Sequence, residues 1–149
     1  MLIHLKKNEK LFINGAVIRL DRRGSVELLN DAQFLLASHV MQPEQATTPL
    51  RQLYFVVQTM LVDPSNSELT RCVYVSQVEQ IDQTLRNQEY SMILKEVSRR
   101  VNDGRYFDAL KLLRQEFSRD DKILEMAAHE SERGGSPQHR AAEMSEEAA

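Results

Sequence analysis

The sequence predicts an α+β fold: a small amino-terminal antiparallel β-sheet of hairpins, then a C-terminal bundle of about four helices, then a disordered tail. Three observations carry that reading. Short apolar runs broken by turn residues fill the first forty positions, the apolar period becomes helical at Thr48, and no aromatic residue occurs beyond residue 128. The expected divisions are a β-rich part at residues 1–47 and a helical part at 48–128 of the same compact unit, with a tail at 129–149.

Residues 2–6 alternate apolar and polar, Lys7, Asn8 and Glu9 make a turn, and Leu11, Phe12 and Ile13 begin a second run. Asn14-Gly15 follows at once. That dipeptide tolerates the positive φ angles of a two-residue hairpin turn, so residues 16–20 fold back on residues 10–13. A turn at residues 21–24 precedes a strand at 26–29, and residues 34–36 add another. The expectation is a single sheet whose turns carry the basic residues.

Helix signals begin at Thr48, whose hydroxyl suits an N-cap, and Pro49, whose missing N–H costs nothing in the first turn. The helix runs to about Val62, and Pro64 marks its stop. Leu50, Leu53, Tyr54, Val57, Met60 and Leu61 share one broad face, whereas Arg51, Gln52, Gln58 and Thr59 share the other. Phe55 and Val62 lie on that polar side, so this nearly all-apolar helix is expected in a core or at a dimer contact. A second helix is expected over residues 68–87 and a third over 89–102, stopped by Gly104 as a left-handed cap. The fourth, residues 106–117, opens with GRYFDAL, which resembles the second-helix start of a tetratricopeptide unit. It occurs once, so a single antiparallel helix pair is expected. Residues 120–128 extend the bundle, and the remainder is too polar to offset its ordering entropy.

Composition sets the class. The 149 residues suit one domain with a small appended part, and 42% hydrophobic with 28% charged residues is ordinary for a globular protein. A single cysteine, Cys72, fits a reducing compartment, and neither a signal peptide nor a membrane span is visible, so a cytoplasmic location is expected. Net charge is −3, but its distribution is uneven. Residues 1–30 hold six basic groups (Lys6, Lys7, Lys10, Arg19, Arg22, Arg23) against three acids (Glu9, Asp21, Glu27). Since charges more than about 10 Å apart are largely screened in moderate salt, it is this local excess that a phosphate would feel.

Candidates for catalysis are scattered. His4, His39, His129 and His139 lack metal-ligand spacing with one another or with Cys72, which reads as a small packed hydrophobe. Gly134-Gly135 has no apolar helix after it and is no phosphate loop, and Asp120-Asp121 reads as a solvated helix boundary. The expectation is a protein that is not an enzyme and takes no metal or cofactor.

The strings LFINGAVIRLDRR at residues 11–23, HVMQPEQATTPLRQLYFVVQTMLVDP at 39–64 and GRYFDALK at 104–111 together resemble the FlbT family of bacterial flagellin regulators, over about the first 125 residues. The first thirty residues, opening MLI with a basic turn and hairpins, are also similar to the carbon storage regulators. What the FlbT resemblance implies is a post-transcriptional regulator that associates with the 5′ untranslated leader of flagellin messenger RNA and lowers its translation or lifetime. The resemblance brings no assigned RNA-contacting residues. From charge alone, the RNA-binding candidates are Lys6, Lys7, Lys10, Arg19, Arg22 and Arg23 on the basic turns, with Arg51 and Phe55 as a stacking pair on the first helix. Arg99, Arg100 and Arg114 are a weaker second group.

Two readings stand beside these residues. Lysines on sheet edges also block unwanted strand pairing, so the basic turns have a purely structural explanation. The functional alternative is an adaptor or chaperone-like module that contacts flagellin or a partner regulator, with a homodimer as a further expectation. It is motivated by the acidic helical region and the apolar helix after Thr48.

Overall fold

The computed structural model describes residues 1–133; the expected tail beyond residue 133 lies outside the described residues. The chain divides into two compact units, residues 1–117 and residues from 118 onward. In the first, five strands precede four helices: β1 (Leu2–Leu5), β2 (Lys10–Ile13), β3 (Ala16–Arg19), β4 (Gly24–Glu27), β5 (Phe34–Leu36), α1 (Pro49–Val62), α2 (Ser67–Leu85), α3 (Gln88–Asn102) and α4 (Tyr106–Gln115). A further helix, α5 (Phe117–Arg133), supplies the described part of the second unit.

The strands form two sheets where the sequence predicted one: a β1–β4 pair and a three-stranded sheet in the order β3-β2-β5. Their registers explain the division. Leu2 pairs with Glu27 and Leu5 with Gly24, while Lys10 pairs with Arg19 and Ile13 with Ala16. Both ladders keep the same register, so they are one long hairpin interrupted at residues 6–9 and 20–23. Its tip is the Asn14-Gly15 turn, with φ of 47° and 82°, as the dipeptide predicts. The fourth strand starts two residues early, at Gly24, because its partner Leu5 sets that end.

Ile3, Leu5, Leu11 and Phe34 form a buried cluster between the strands, and Phe107 of α4 packs on it. The Phe34 and Phe107 rings stack with centroids 4.6 Å apart. The side chain of Gln33 accepts the Phe107 N–H at 2.8 Å, capping α4 from the strand side.

Helix α1 starts as predicted, with Thr48 Oγ1 accepting the Arg51 N–H. It buries Leu50, Leu53, Tyr54, Val57, Met60 and Leu61 and packs against α2 and α4. Phe55 is half-buried, whereas Gln58, expected on the polar side, is buried as well. Asn87 caps α3 through Oδ1, Gly104 ends it with φ of 74°, and Ala109 is fully buried in the α3–α4 hairpin. Three expectations on the helices are corrected. Cys72 is exposed, because it lies on the side of α2 opposite the buried Tyr74. The fourth helix stops at Gln115 rather than residue 117, and a new one begins at Phe117. That helix continues through residues 129–133, where the composition predicted the tail to begin.

Candidate nucleic-acid interface

The interruption of the hairpin is where the basic residues gather. On one strand, residues 6–9 turn with Asn8 at a φ of 62°, and its N–H donates to the Leu20 carbonyl at 2.9 Å. The Glu9 carboxylate accepts the Lys6 N–H at 2.9 Å, which stabilises the turn. Opposite it lie residues 20–23. Lys6 and Lys7 therefore face the segment holding Arg22 and Arg23, and Lys10 and Arg19 are direct cross-strand partners at its border. All six are exposed. The carboxylates within the two segments are Glu9, held in its turn, and Asp21, which meets Arg22 at 3.6 Å with both side chains 86% exposed. An ion pair so exposed contributes little, leaving a waist of concentrated positive charge.

Lys10 and Arg19 distinguish the two explanations of this charge. Like charges directly opposed across an antiparallel pair destabilise it. Edge protection accounts for Arg19, since β3 is an edge strand, and the β2–β5 ladder begins only at Leu11, one residue past Lys10; what edge protection leaves unexplained is the direct opposition of the two like charges.

Arg51 and Phe55 lie one turn apart on α1, with Phe55 half-buried. Arg51 donates to Thr48 Oγ1 at 3.2 Å and lies 4.7 Å over the Phe117 ring, so its guanidinium is engaged within the helical layer. Arg99 and Arg100 both meet Glu96, and Arg114 donates to the Tyr54 hydroxyl at 3.0 Å. The Tyr54 hydroxyl in turn donates to the His39 carbonyl at 2.5 Å. The residues around this junction thus serve to pin the incoming loop on α1.

Gln58 makes the second pin, and sequence reasoning passed it over. Its Oε1 accepts the Met41 N–H at 2.6 Å and its Nε2 donates to the Met41 carbonyl at 2.9 Å. A polar residue one position from Val57 on a helix apolar nearly all round is the signal that marked it.

His39 gives a pH dependence. Partial desolvation of this otherwise exposed side chain first, and the Arg114 charge second, hold its pKa below the usual 6.5. The folded chain therefore binds fewer protons at this position than the unfolded chain, and stability present above pH about 6.5 declines as pH falls toward the folded value. Urea midpoints between pH 7 and 5.5 should decline less steeply in His39→Gln than in the parent; equal slopes would remove His39 from that dependence.

Among the described residues no group of three His, Cys, Asp or Glu side chains comes together to hold a metal ion, and no helix is long and apolar enough to cross a membrane. What fold and site define is a small α+β protein carrying an exposed cationic hairpin waist beside a helical layer. Residues 1–124 match the family described as "Flagellar protein FlbT". The "Probable flagellum biosynthesis repressor protein FlbT" of Chelativorans sp. is 46% identical over 122 residues, covering 82% of this chain and 84% of the relative. Proteins of the same name from Rhizobium johnstonii and Brucella anthropi are 45% and 44% identical, covering 82% of this chain and 82% and 80% of their own lengths. No solved structure matches the chain. The chain belongs to the FlbT family.

Proposed function

We propose that this protein is a non-enzymatic cytoplasmic regulator of flagellum biosynthesis that binds the 5′ leader of flagellin messenger RNA through the hairpin waist and lowers its translation or stability. The names of its relatives support the regulatory part. The RNA part rests chiefly on the opposed Lys10 and Arg19 at the border of the interruption. Opposing two cations across a hairpin costs stability, which a bound phosphate backbone would offset by neutralising both. Arginine adds bidentate phosphate contacts and stacking on unpaired bases, which suits a single-stranded or looped leader.

The test is a two-component assay. Purified protein should shift the leader RNA, with affinity falling steeply as salt rises from about 50 to 200 mM. Protein that leaves the RNA unshifted at the lower salt, yet binds flagellin stoichiometrically, would overturn the reading in favour of the adaptor.

A further inference from the structure

Helix α2 is long and poorly covered. Of its 19 residues only Tyr74 and Ile81 are buried, while Leu69, Val73 and Val75 are 71%, 49% and 50% exposed and Cys72 is exposed beside them. The sequence placed a dimer contact on the apolar helix α1, but α1 spends that face on α2 and α4. The uncovered apolar surface is on α2 instead. Along one flank run Glu68, Arg71, Cys72, Val75, Ser76 and Glu79, at the spacing of successive turns.

The charges on this flank are self-complementary. Arg71 and Glu79 lie four residues before and after Val75, about 6 Å to either side along the axis. Neither has an ion-pair partner among the described residues. A two-fold axis at Val75 reverses the helix and brings each arginine against the other copy's glutamate. We infer that two copies of this chain associate through α2, running antiparallel about Val75, with Arg71 of each paired to Glu79 of the partner subunit. The contact is isologous and closed, so it stops at a dimer. Val75 and Cys72 bury apolar surface at its centre, whereas Leu69 and Val73 lie well around the helix from Val75 and stay outside the contact. Glu68 and Asp82 lie farther out, about 10 Å from the axis, where repulsion across the pair is largely screened in moderate salt. A single pair of helices about 28 Å long falls at the lower end of specific interfaces, so the dimer is reversible and concentration-dependent.

Light scattering on the full chain should show a mass rising from 17.2 kDa toward twice that value between micromolar and near-millimolar concentration. Arg71→Glu and Glu79→Arg should each raise the dimer dissociation constant at least about 10-fold, and the double exchange should restore it, because the pair is then rebuilt with its signs reversed. Val75→Cys in a Cys72→Ser background should form a disulfide-linked dimer on mild oxidation, since a residue on the two-fold axis meets its own copy. Circular dichroism checks that each variant is folded. A mass that stays monomeric throughout overturns the proposal, as does a dimer indifferent to both charge reversals. Protection of α2 from hydrogen exchange by added flagellin, with no self-association, would assign the flank to that partner and equally overturn it.

Discussion

Replacing Arg19, Arg22 and Arg23 together by alanine is expected to weaken leader binding by roughly 100-fold at 0.1 M salt and to flatten its salt dependence. Each phosphate contact on a single strand contributes about 0.7 to the slope of log affinity against log salt, so three lost contacts remove about 2 from the slope and, at that salt, about two decades of affinity. All three side chains are exposed, and the core cluster and turn hydrogen bonds of the strands do not involve them, so circular dichroism should not change. Arg19→Thr alone should raise the urea midpoint slightly while lowering affinity, because it relieves the opposition with Lys10 on the neighbouring strand. A matched variant lacking Lys95, Arg99 and Lys111, cations of α3 and α4, should bind within about twofold of the parent. Equal binding by parent and folded arginine triple would remove the waist as the site, whatever the RNA affinity of the parent.

Gln58→Leu is expected to cost about 2–4 kcal/mol, a large part of the stability of a domain this size. Gln58 is 6% exposed and Met41 is 9% exposed, so the leucine leaves a buried N–H and a buried carbonyl of Met41 without partners. Each such loss costs about 1–3 kcal/mol, while the gain from burying a leucine in place of an amide recovers part of it. Gln58→Glu keeps an acceptor for the N–H but loses the donor to the carbonyl and buries a charge, so it should also destabilise, less so in acid where the carboxyl is protonated. Urea denaturation gives the size of the effect, and amide exchange at Met41 shows whether the loop opens locally. A loss under about 1 kcal/mol would mean that the loop is held chiefly by the Tyr54 bond to the His39 carbonyl.

Local chemistry was legible from neighbouring residues. Asn14-Gly15 writes a turn with two positive φ angles, Thr48-Pro49 writes a helix start, and Gly104 writes a stop, and each occurs where it was expected. Burial of individual side chains was less legible. Cys72 and Gln58 were assigned to opposite environments from those they occupy, because a helical period states which residues share a face and not what is packed against that face. The flagellar family was legible too, since three separated strings in order are carried by sequence itself.

By itself, then, the sequence determined the α+β class, the order of strands before helices, the turns and caps, and a cationic amino-terminal third. Those properties depend on residues within a few positions of one another, where backbone sterics and hydrogen bonding act without help from the rest of the chain. Only the tertiary structure decided that one interrupted hairpin feeds two sheets and that Lys10 opposes Arg19. It also decided that Gln58 clamps Met41 and that α2, rather than α1, is left with apolar surface uncovered. These depend on register and on which faces meet across tens of residues, and many pairings satisfy the same local pattern until the packed core selects one.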